Sequence, residues 1–82
     1  MNTEAVRKQV GHRIKVRRVD LNMQQKELGA LVGVPQSQIS EWEIGRRALK
    51  IEQAIELAKA LKTTVGYLAG ESPIGGLGYC GD

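Results

Sequence analysis

Gln36, Ser37, Ser40 and Glu41 are spaced so that one helix would carry all four on its outer side. Their chemistry is hydrogen bonding. The Gln36 amide can bond adenine N6 and N7 together, and the hydroxyls of Ser37 and Ser40 can donate or accept with several bases. The Glu41 carboxylate can accept from cytosine N4. A carboxylate near a nucleic acid is repelled by phosphates, so Glu41 must either accept from a base or be neutralised by a basic neighbour. The sequence leaves both alternatives open.

Catalytic chemistry lacks an inventory. His12 lies among basic residues with no carboxylate or thiol partner in its pattern, which suits a polar surface or phosphate-side residue. Cys80 stands in a glycine-rich stretch, and the two make no metal-ligand set. Gly75, Gly76 and Gly78 do not sit between a strand and a helix, so they form no phosphate loop. The expectation is a protein that is not an enzyme, with no metal and no cofactor.

The elements that must hold the polar face can be read around it. Leu28, Leu31 and Val32 recur at helical spacing over 25–32, and Gly33 ends that helix because glycine enters the left-handed conformation without penalty. Pro35 then opens a second short helix, where its missing N–H costs nothing. Ile39 and Trp42 turn its inner face toward Leu28 and Leu31.

The run Gln38-Ile39-Ser40-Glu41-Trp42-Glu43 followed by Gly45, with Leu28 and the spacing of Gly29, Gly33 and Ile39, resembles the phage-repressor and Cro-like (XRE-like) helix-turn-helix family. The resemblance runs from about Val10 to Ala69. It implies an all-α, compact five-helix fold like that of lambda repressor, with the helix-turn-helix formed by helices 2 and 3. It also implies that helix 3 enters the major groove. Gln36 and Ser37 then read bases, with Ser40 and Glu41 beside them. Gln25 matches the family's recurrent glutamine at the head of helix 2, which bonds a phosphate and braces the first polar residue of helix 3. The family further implies an ion pair between an arginine late in helix 1 and the glutamate ending helix 3, here Arg18 and Glu43. Gln24 stands where the family commonly has a serine or threonine cap.

Charge follows the same plan. The net charge of +3 is modest, but Arg7, Lys8, Arg13, Lys15, Arg17 and Arg18 crowd the first helix, and Arg46, Arg47 and Lys50 follow helix 3. Arg46, Arg47 and Lys50, with backbone amides near Ile44 and Gly45, are expected to grip phosphates without reading sequence. Trp42 is expected to pack between helices 3 and 4.

The remaining elements are helices. Thr3 can cap the first, on which Val6, Val10, Ile14 and Leu21 trace a stripe that ends near Leu21 and Asn22. Ile51, Ala54, Ile55, Ala58 and Leu61 form the apolar face of a fourth, with Leu57 beside it, and Glu52, Glu56 and Lys59 on its wet side. Lys62 replaces a glycine often found at this helix end. Thr63 or Thr64 caps a last helix carrying Val65, Tyr67 and Leu68. Residues 1–70 are thus expected to be the helix-turn-helix domain and 71–82 a flexible glycine-rich tail.

Eighty-two residues with no phenylalanine make one small aliphatic-cored domain. No apolar run approaches the roughly 18 residues of a membrane span, no signal-peptide pattern opens the chain, and one cysteine fits a reducing compartment. The expectation is a cytoplasmic regulator, a repressor acting on a double-stranded DNA operator as a two-fold dimer. With no dedicated oligomerisation domain in view, the dimer contact would fall to helix 5, the Val16/Val19 side or the tail. A protein-interaction module, or the antitoxin of a toxin–antitoxin pair, is the alternative.

Overall fold

The computed structural model describes residues 3–70 of the chain, so the expected tail and Cys80 lie outside the described residues. Five helices follow one another: α1 (Thr3–Asp20), α2 (Gln25–Val32), α3 (Gln36–Glu43), α4 (Ile51–Ala60) and α5 (Val65–Ala69). α1 packs against α3 and α5, and α2 against α3 and α4. The fully buried side chains are Ile14, Leu28, Ile39, Leu57, Leu61 and Leu68, joined by Trp42 and Tyr67. The core is aliphatic, as the composition requires.

The helix ends explain how helices this short are stopped cleanly. After α3, Gly45 adopts φ 80°, its N–H donates to Trp42 O at 3.1 Å, and Arg46 N–H donates to Glu41 O at 2.9 Å. This is the Schellman closure, in which a left-handed residue lets two outer amides satisfy carbonyls that the helix leaves open. The same pair of bonds ends α1 around Asn22 (φ 54°) and α4 around Lys62 (φ 53°). Gly33, at φ 75°, ends α2. α2 begins with Glu27 accepting from the Gln24 backbone N–H at 2.8 Å, which partly offsets the missing serine or threonine cap. Thr64 caps α5, its Oγ1 accepting from Tyr67 N–H at 3.0 Å. Thr3 is itself the first helical residue of α1, and Pro35 is the N-cap of α3 rather than its first residue.

Two apolar faces differ from expectation. Leu31 does not join Leu28 but is 61% exposed. At about 100° per residue, the buried side of α2 runs from Leu28 through Val32 to Gly29, which puts Leu31 roughly 110° from its centre. On α4 the buried residues are Ala54, Leu57, Ala58 and Leu61, while Ile51 and Ile55 are exposed. The true face is rotated toward Leu57, because α4 must cover α2 and α5 together. Val6 is also more exposed than a core stripe implies.

Two contacts had no signal in the sequence. Gly11 is buried where α1 crosses the end of α3. A Cβ there would lie 2.1 Å from Trp42 O and 2.6 Å from Glu43 O. Arg17, in the last turn of α1, donates through Nε to Leu61 O at 3.1 Å and through Nη2 to Lys62 O at 3.3 Å. A cation thereby satisfies the open carbonyls at the end of α4.

Candidate nucleic-acid interface

α3 places its apolar residues inward and its polar residues outward. Ile39 and Trp42 are buried, Gln36 and Ser37 are exposed, and Ser40, Glu41 and Gln38 are half-buried along the same helix. Gly29 permits this placement, since a Cβ there would meet Val34 O at 2.6 Å and push the turn away from α2. Trp42 packs against α1, lining an apolar cavity with Val6, Val10, Ile14 and Leu49, and shares the core cluster with Leu57 and Ala58 of α4. The contact with α1 follows from the close crossing at Gly11, which brings α1 over the end of α3.

Behind the polar face lies a connected set of hydrogen bonds. Arg18 Nε donates to Glu43 Oε2 at 2.6 Å and Nη2 donates to Glu43 Oε1 at 3.2 Å, while Nη1 donates to Met23 O at 2.8 Å. Glu43 is buried and Arg18 is largely covered, at 3% and 12% side-chain exposure. Gln25 Nε2 donates to Glu43 Oε1 at 2.9 Å, and Gln36 Nε2 reaches Gln25 Oε1 at a longer 3.4 Å. The chain of contacts runs from the ion pair to Gln36, the first residue of the polar face of α3.

The basic residues divide. Arg46 and Lys50 are exposed, Lys50 standing as the N-cap of α4 with its backbone N–H donating to Gln53 Oε1 at 3.0 Å. Arg47 instead turns to α3, its Nε donating to Glu41 Oε1 at 2.8 Å. Of the two alternatives for Glu41, pairing with a basic neighbour is the one present here. The amides of Ile44, Gly45 and Arg46 all donate to α3 carbonyls. They are therefore not open to phosphates, because the helix closure has already used them. His12 is exposed on α1. Among the described residues no group of three or more histidine, cysteine or acidic side chains is placed to hold a metal ion, and no helix is long and apolar enough to cross a membrane.

Two short helices joined at a left-handed glycine, with the second one's polar side facing out, define a helix-turn-helix protein. The helix-turn-helix family profile matches residues 14–68, and the chain belongs to the phage-repressor and Cro-like (XRE-like) helix-turn-helix family. Repressor protein C2 of Salmonella phage P22 is 38% identical over 68 residues, which cover 83% of this chain and 30% of that protein. An uncharacterized transcriptional regulator in the ATPase CF(0) region of Rhodospirillum rubrum is 34% identical over 58 residues, covering 71% of this chain and 54% of that one. The chain thus spans well under two thirds of the length of these two relatives. The crystal structure of the P22 c2 repressor in complex with synthetic operator 9T matches with a TM-score of 0.73 at 36% identity, over 77% of this chain and 96% of that one.

Proposed function

We propose that this domain, residues 1–70, is a sequence-specific double-stranded DNA-binding transcriptional regulator that represses by occupying an operator. α3 enters the major groove. Gln36, Ser37, Ser40 and Glu41 meet base edges, while Gln25, Arg46 and Lys50 hold phosphates and set the register. The observation that carries this reading is the support of Gln36. A buried ion pair and a second amide hold it on the exposed side of α3, an arrangement that core stability alone does not require. The P22 relatives, a repressor and a repressor–operator complex, support the same reading.

One such module covers few base pairs, so the proposal includes a two-fold dimer with recognition helices about 34 Å apart. Of the candidate dimer surfaces, the helix 5 side carries an apolar groove. Val65, Leu68 and Ala69 of α5 line it with Val10, Leu49 and Ile51, and Ile51 is largely exposed. Such a regulator works by binding, without catalysis, in the cytoplasm where its operator lies.

Binding to a duplex carrying the selected site, measured across salt concentrations, tests this. With Arg46 and Lys50 each neutralising a phosphate in both half-sites, the log–log slope should be roughly −4. A flat response would favour the protein-interaction alternative.

A further inference from the structure

We propose that Arg47 is a specificity-determining residue, and that Glu41 and Arg47 read a single G·C base pair together. The inference rests on the DNA-binding function proposed above. It changes the part played by Arg47 from a sequence-neutral phosphate contact to half of a composite reader.

The position of Arg47 is set by the end of α3. Gly45 in the left-handed region and the bond from Arg46 N–H to Glu41 O fold the chain back over the last turn of the helix. Arg47, the next residue, therefore starts beside Glu41. The 2.8 Å contact between the two uses Nε, on the side edge of the guanidinium. The outer edge, with its two terminal amino groups, keeps the parallel pair of donors that suits two adjacent acceptors. Glu41 likewise engages through Oε1 and retains Oε2 as an acceptor.

Side by side, the pair offers two donors followed by one acceptor. In the major groove a G·C pair offers the complement: guanine N7 and O6 accept, and cytosine N4–H donates. No other base pair presents two acceptors and then a donor in that order. The pairing also solves the electrostatic problem of Glu41, because a carboxylate joined to a guanidinium approaches phosphates as a neutral unit. Both side chains remain substantially exposed, at 51% and 38%. An ion pair this open to water adds little to stability, so stability does not account for its geometry. Glu41 lies one turn beyond Ser37, which puts the composite reader at the far end of the recognition surface from Gln36.

The test is selection of bound duplexes from a random pool by the 82-residue chain and by Arg47→Ala, Arg47→Lys, Glu41→Gln and the double variant Arg47→Ala/Glu41→Gln. Thermal melts check that each variant is folded. The wild type should enrich a G·C pair at one fixed position of each half-site. Arg47→Ala and Glu41→Gln should each relax preference at that position by roughly tenfold. The double variant should relax it no further, since the two side chains act as one. Arg47→Lys keeps the charge but not the planar fork, so it should lose the preference while retaining more affinity than Arg47→Ala. If both Arg47 variants weaken all duplexes alike and leave the selected site unchanged, the assignment is overturned while the DNA-binding function stands. A wild-type pool with no enrichment overturns both.

Discussion

Gln25 donates through Nε2 to Glu43 Oε1 at 2.9 Å, and that bond fixes the orientation of two amides. A carboxylate only accepts, so Gln25 must spend one N–H on Glu43, which turns its carbonyl oxygen toward Gln36 and leaves its second N–H for the proposed phosphate contact. Gln36 must then answer with its own NH2, as the 3.4 Å contact shows. One N–H of Gln36 is used in this way. Its other N–H and its carbonyl oxygen stay available, and those are the two groups that adenine N7 and N6 require. The core thus holds the Gln36 amide in the orientation that the proposed contact with adenine needs.

The network depends on Arg18 and Glu43. Removing one member of a buried pair leaves the other uncompensated, which costs about 3–5 kcal/mol. Arg18→Ala should therefore lower the melting temperature by roughly 10 °C or more. Arg18→Met combined with Glu43→Leu should recover much of that loss, because no charge then remains buried. Thermal melts of the two variants measure both effects, and an unchanged melting temperature for Arg18→Ala would mean that the pair contributes nothing to stability.

Gly11 sets up a contest between two effects of known size. Alanine in the middle of a helix is favoured over glycine by about 1 kcal/mol. Here its Cβ would meet two carbonyl oxygens of α3, Trp42 O at 2.1 Å and Glu43 O at 2.6 Å, and backbone cannot swing aside as a flexible side chain can. Overpacking against backbone should prevail, with Gly11→Ala net destabilising by about 2 kcal/mol. A thermal melt decides the sign; a stabilised variant would mean that α1 and α3 cross less closely than described.

Lys62 offers the opposite case. A side chain in the left-handed region costs roughly 1–2 kcal/mol, and glycine gives back about 0.5–1 of that through the freedom of its unfolded chain. Lys62 sits at φ 53°, is exposed, and contributes its carbonyl to Arg17, which glycine preserves. Lys62→Gly should thus stabilise the domain by about 0.5–1 kcal/mol, read as a higher urea midpoint with the same slope. A lower midpoint would count against strain at this helix end.

What was legible in the sequence was mainly local. Gly33 and the alternation of apolar and polar residues across α3 announced two helices and a turn, because each signal lies within a few residues of its effect. Arg18 and Glu43 are 25 positions apart, and only the family resemblance joined them. Gly11 carried no signal of its own, since the carbonyls that exclude a Cβ come from another helix. The same holds for Arg17, whose partners lie at the end of α4. Leu31 and Ile55 lie outside the core for a related reason. Several apolar residues on a two- or three-turn helix fit more than one stripe, and the neighbours decide which stripe is covered. The amides of Ile44 to Arg46 looked available because a sequence does not show that the helix closure uses them.

In the proposed function the polar side of α3 reads DNA from a position set by Gln25 and Glu43. The most direct measurement is the sequence preference of the wild type, Gln36→Ala and Gln25→Ala, each selected on random duplex DNA. The wild type should enrich a near-palindrome with half-sites about one helical turn apart. Gln36→Ala should lose about 1–3 kcal/mol of discrimination at one base pair per half-site, and Gln25→Ala should weaken preference at that same pair. A wild-type preference that both variants leave intact would contradict the account.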